Sequence, residues 1–130
     1  MSQADKFRHP IKNARGLGSA KDGVHHFMVQ RITAVALLAL CVYVVWLLMT
    51  LIGSDYPQAR AAVANPCNAI LLIAFLVAMF WHGQLGMQVV IEDYVHKPWL
   101  ALTCQLLVKF VCALAALASI LAVVRIALGA

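Results

Sequence analysis

Three long stretches almost without charge dominate this sequence and leave it few ways to fold. They cover about residues 32–52, 68–91 and 99–128, and the third alone contains basic residues, Lys109 and Arg125. A helix rises 1.5 Å per residue, so roughly 20 apolar residues cross about 30 Å of hydrocarbon. Each stretch reaches that length, and the third exceeds it, which calls for a tilt or for a helix that projects past the bilayer. Lipid offers a backbone no hydrogen bonds, and a helix satisfies its peptide groups within one segment. The expectation is an all-α integral membrane protein with three transmembrane helices. The composition agrees, because 64% of the 130 residues are hydrophobic and only 12% charged, too apolar for a water-soluble domain of this size.

The formal net charge of +5 does not point to nucleic acid. Its basic residues flank apolar spans instead of forming a stripe, and orientation explains them better. Lys6, Arg8, Lys12, Arg15, Lys21 and Arg31 precede the first span, and Lys97 lies between the second and third. Arg60 and Arg125 fall on the other side of a three-span topology. Seven basic residues against two predict a cytoplasmic N-terminus. Residues 1–31 thus read as a basic cytoplasmic tail with an interfacial lead-in, and 32–128 as the transmembrane domain. No hydrophobic core segment precedes the tail, which argues against a secretory signal, and Pro10, Gly16, Gly18 and Gly23 interrupt it. A tail of this kind binds a partner or follows the lipid surface. Residues 54–67 read as a short outer loop that Asn65-Pro66 turns into the second span. Cys41, Cys67, Cys104 and Cys112 have no metal-ligand spacing and read as small packing residues.

The segment from His82 to Tyr94, His-Gly-Gln-Leu-Gly-Met-Gln-Val-Val-Ile-Glu-Asp-Tyr, carries the chemistry. His82 sits roughly 15 Å inside the end of its span, a depth at which ionisable side chains mark functional sites. On a helix Asp93 comes round to within about 20° of His82, some 16 Å further along the axis. Gly86 is one turn from His82 at about 40°, so a flat group coordinated by the imidazole would meet no side chain there. That pattern suits haem ligation; the plainer alternative is a neutral histidine bonded to a backbone carbonyl. No second imidazole lies at that depth, since His25, His26 and His96 are interfacial and His9 is in the tail. A bis-histidine haem would therefore need a partner subunit.

At the membrane boundary, a phenol such as Tyr94 can hydrogen-bond a quinone carbonyl while Asp93 relays or positions a proton. Two acids at a helix C-terminus also oppose the macrodipole, which favours a role other than helix stability. Arg31 is either a snorkelling anchor or a cation for a cofactor's carboxylates. Trp81 is too deep for an interfacial belt and is expected to pack against a neighbour or cofactor. Lys109, at about the depth of His82, could face a propionate, a polar partner residue or water. Alanines 113, 115, 116 and 118 would let helices approach closely.

These residues resemble the small hydrophobic membrane anchor subunit of succinate dehydrogenase, of the type with two anchor subunits and one haem b. The resemblance rests on Gly23-Val24-His25 with Phe27, Arg31 and Thr33-Ala34, and on His82 with Gly86, Met87, Asp93 and Tyr94. Arg15-Gly16-Leu17-Gly18-Ser19-Ala20 is similar to the alphaproteobacterial members. The resemblance implies a multi-pass subunit of the bacterial inner membrane, with His82 as an axial ligand of the haem iron and the second ligand from a cytochrome b anchor. It further implies Tyr94 and Asp93 at a ubiquinone site, and Arg31, with His25, near the haem propionates. A flavoprotein subunit and an iron-sulfur subunit would hold FAD and the iron-sulfur clusters. This chain alone would not be catalytic. His26 stands where an acid can occur, and Glu92 adds a carboxylate. A fumarate-reducing complex has the same architecture. A non-redox scaffold or assembly protein, or a transporter subunit using His82, Asp93 and Lys109 as a relay, are the competing readings.

Overall fold

A computed structural model describes residues 22–129. The basic tail residues Lys6 to Lys21, including the Arg15-to-Ala20 segment, lie outside the described residues. Four helices follow in order: α1 (Asp22–Thr50), α2 (Tyr56–Ala64), α3 (Pro66–Tyr94) and α4 (Pro98–Ala127). Three of them are long and apolar enough to cross a membrane, over Gly23–Thr50, Pro66–Tyr94 and Pro98–Ala127. No strand occurs among the described residues.

The first helix begins about ten residues before its apolar stretch and takes in His25, His26 and Arg31. Hydropathy marks where lipid begins, whereas a helix continues into the headgroups as long as no residue breaks it. It ends at a turn in which Gly53 adopts φ 80°, a conformation that favours glycine.

The connection between the first two spans is not a plain loop. Asp55 caps α2, its Oδ1 accepting from the Gln58 amide at 2.9 Å, and Pro57 fits the first turn, where no amide needs an intrahelical partner. Asn65 then closes α2 and opens α3. Its side chain accepts from Cys67 N at 3.0 Å, and Pro66 starts the new helix. A short link joins Tyr94 to Pro98.

The long helices form a row. α3 packs against α1 on one side and α4 on the other, while α1 and α4 make no contact among the described residues; α2 rests on the start of α3 and the end of α4. The few buried apolar residues follow from this: Ala69, Ala78, Leu85 and Ile91 all lie on the middle helix, with Leu47 from α1. Lipid is as apolar as these side chains, so burying them yields little hydrophobic gain. Close contact at small residues and hydrogen bonds must hold the helices together. One such node joins three elements near the start of α3: the Tyr43 hydroxyl donates to Asn68 Oδ1 at 2.6 Å, and Asn68 Nδ2 donates to the Ala62 carbonyl at 2.8 Å. All four cysteines are free.

Candidate functional site

His82 is half-buried in the seam between α3 and α1. Its Nδ1 lies 3.0 Å from Thr33 Oγ1, and its Nε2 lies 3.4 Å from Gln30 Nε2. The Thr33 hydroxyl also reaches its own helix, 2.8 Å from the Val29 carbonyl and 3.1 Å from that of Gln30. A glutamine amide nitrogen can only donate, so the ring nitrogen facing it accepts. The matching tautomer carries its proton on Nδ1 and donates to Thr33, whose own proton serves the closer Val29 carbonyl. Two side-chain atoms of α1 are buried without a partner among the described residues, Gln30 Oε1 in this cluster and His26 Nε2 one turn before it.

Gly86 faces the same seam. A Cβ built there would meet only Gln30 Nε2, at 3.9 Å. The space opposite Gly86 is thus bounded by the flexible end of Gln30, and Gly83 has nothing within 4 Å of its Cβ position.

Positions 26, 30 and 33 share one side of α1, and that side meets His82. His25 and Arg31 stand about 110–130° round the helix from the midpoint of Gln30 and Thr33. Both are exposed, and the Arg31 guanidinium lies 5.1 Å over the Phe27 ring one turn back. The fold therefore does not bring them to His82 within this chain. Thr33 and Gln30 are there instead, polar residues at helical spacing in the run toward the first span, a signal the sequence held.

Asp93 and Tyr94 end α3 at its polar mouth, exposed and without a hydrogen-bond partner among the described residues; Tyr94 is 78% exposed. The adjacent Glu92 turns toward α4 and accepts from Gln88 Nε2 at 2.8 Å and Gln105 Nε2 at 3.4 Å. Glu92 belongs to a polar seam that spacing alone did not reveal, in which Gln84, Gln88, Gln105 and Lys109 line a narrow gap between α3 and α4. Gln84 and Gln88 are roughly 120–160° round α3 from His82. Lys109 shares the depth of His82 but sits across the middle helix from it.

Trp81, 54% exposed, borders a groove of about 320 Å³ between α3 and α4, with Val77, Cys112, Ala113 and Ala116. Of the alanine run, Ala113 and Ala116 line this groove. Among the described residues no three His, Cys, Asp or Glu side chains converge as a metal site.

The chain was also compared with known proteins. Residues 5–122 match the profile of the succinate dehydrogenase/fumarate reductase transmembrane subunit family. A succinate dehydrogenase hydrophobic membrane anchor subunit of Rickettsia bellii is 37% identical over 117 residues, 90% of this chain and 94% of that protein. Its counterpart in Rickettsia conorii is 34% identical over 118 residues, 89% of this chain and 93% of its own. That of Paracoccus denitrificans is 32% identical over 85 residues, covering 65% and 66%. No solved structure matches the chain.

Proposed function

The chain belongs to the succinate dehydrogenase/fumarate reductase transmembrane subunit family, and from that premise we propose that it is the hydrophobic membrane anchor of a succinate:ubiquinone oxidoreductase. It holds a flavoprotein and an iron-sulfur subunit at the bacterial cytoplasmic membrane and shares a haem b with a second, cytochrome b anchor. FAD and the iron-sulfur clusters belong to the soluble partners. The seven-to-two bias of basic residues puts the N-terminus, and with it the Asp93–Tyr94 corner, on the cytoplasmic side.

The observation that carries this reading is His82 in the α1–α3 seam, with one nitrogen held by Thr33 and the other facing only a 3.4 Å amide contact. Such an imidazole fits an axial ligand, because Nε2 has a lone pair and its neutral neighbour Gln30 can swing aside. The unpartnered Gln30 Oε1 further supports a polar group in that space. When bound, haem b supplies a one-electron redox couple. His82 would be this chain's ligand to its iron, and a residue of the second anchor would be the other. Arg31 and His25, open at the same end of α1, meet the propionates if these extend past the edge of that helix.

Tyr94 donates a hydrogen bond to a carbonyl of ubiquinone, which orients the ring and draws charge to that oxygen. Asp93, beside it and open to water, passes a proton to the reduced oxygen. Neither residue is tied to a neighbour, so both remain available to a bound ring. The same groups serve quinol oxidation in a fumarate-reducing complex.

The test is the reduced-minus-oxidised spectrum of the purified complex, with wild-type chain and with His82→Ala, followed by succinate-to-quinone kinetics of Tyr94→Phe. A b-type signal that the variant loses or converts to high-spin supports ligation, and a quinone KM raised in Tyr94→Phe supports the second site. A wild-type complex without haem, or a signal indifferent to His82→Ala, refutes the haem assignment.

A further inference from the structure

We infer that Thr33 is the positioning residue of His82, fixing from the neighbouring helix both the tautomer and the ring plane of the imidazole. The inference rests on the haem reading above and concerns only residues of this chain.

Three contacts converge on one arrangement. Thr33 Oγ1 is 2.8 Å from the Val29 carbonyl, so its single proton is committed to its own helix. Its lone pairs then face His82 Nδ1 at 3.0 Å and require a proton on that nitrogen. On the opposite edge of the ring, Gln30 presents a donor to Nε2 at 3.4 Å, which requires a lone pair there. Both edges demand the same tautomer, the one whose free electron pair can reach a metal.

Imidazole ligands of metals generally donate their other N–H to an oxygen acceptor, which orients the ring and raises its basicity. Carboxylates, carbonyls and waters are the usual acceptors. Here a threonine hydroxyl takes that part, itself polarised by the carbonyl to which it donates. The anchor point is rigid, because a β-branched side chain bonded back to the i−4 carbonyl of a helix has little χ1 freedom. Gln30 caps the coordinating nitrogen in the unligated chain. Its unpartnered Oε1 makes that cap easy to release.

The experiment compares the full complex carrying wild-type chain, Thr33→Ala and Thr33→Ser. Haem affinity is read by the rate and extent of transfer to apomyoglobin, and ring orientation by the g-values of the low-spin ferric signal. Loss of a ligand's orienting partner lowers metal affinity about 10- to 100-fold, so Thr33→Ala is expected to lose haem at least 10-fold more readily and to shift its g-values. Thr33→Ser restores both. Thr33→Ala with wild-type retention and an unchanged signal overturns the inference while His82→Ala still upholds the haem reading. A wild-type complex whose signal ignores His82→Ala instead fails the underlying reading. If Thr33→Ala does not assemble, the ¹⁵N shifts of His82 in the full wild-type chain, in bilayers without haem, decide: a protonated Nδ1 supports the inference, and a protonated Nε2 overturns it.

Discussion

Gly86→Ala separates what this chain needs in order to fold from what it needs in order to bind. Gly86 lies inside α3, eight residues before the helix ends at Tyr94. A methyl added there meets only Gln30 Nε2, at 3.9 Å, an ordinary van der Waals contact. Alanine is better than glycine in a helix interior by about 0.8–1.0 kcal/mol. In the haem-free complex the substitution should therefore be neutral or stabilising, by up to about 1 kcal/mol. With haem the sign reverses. The new methyl stands one turn from His82 on the side where a flat ligand of that imidazole would lie, and forcing extra volume into a filled space costs roughly 1–3 kcal/mol, or about 5- to 150-fold in affinity. The assay pairs haem content per complex, from the pyridine haemochrome, with detergent-induced unfolding of the haem-depleted complex. Gly83→Ala is the control, since its Cβ meets nothing within 4 Å. A Gly86→Ala complex with wild-type haem content refutes the idea that the glycine clears room for the ligand. Destabilisation of the haem-free form by more than about 1 kcal/mol would instead refute the packing argument.

The Tyr43–Asn68 node and the polar seam between α3 and α4 give two further tests. Hydrogen bonds between membrane helices average about 0.6 kcal/mol and reach about 1.7; Tyr43→Phe should cost near the lower figure and Asn68→Ala, which loses two bonds, about 1–2 kcal/mol, with a coupling near 0.6 in the double-mutant cycle on unfolding. Lys109→Met should leave the haem spectrum unchanged, because Lys109 lies across α3 from His82 beside Gln84 and Gln105. A shifted spectrum in that variant would mean that the seam and the His82 side are connected.

Three spans were legible because lipid narrows the choice: a stretch such as 68–91 has nowhere else to satisfy its backbone. The nine-residue α2 was not, since it has no buried residue to betray it and owes its form to caps at Asp55 and Asn65. The depth of His82 and its spacing to Asp93 and Tyr94 could be read from one helix. Which neighbour each face meets could not, because periodicity groups residues on a face without naming the helix opposite. Lys109 illustrates the difference, with the depth foreseen and the side not. Depth does, however, constrain pairing more than it first suggests. His82 lies twelve residues before the end of α3, and Thr33 eleven residues after the start of the antiparallel α1. A polar group halfway across a membrane must find another at its own level, and α1 has few to offer: from Gln30 to Thr50, only Gln30, Arg31, Thr33, Tyr43, Trp46 and Thr50 carry N–H or O–H groups in their side chains. Of these, Gln30 and Thr33 lie closest to the level of His82 on a shared face, and both bond it. In lipid, matching polar side chains by depth between antiparallel spans identifies contacts that hydrophobic patterning, uniform all round these helices, leaves open.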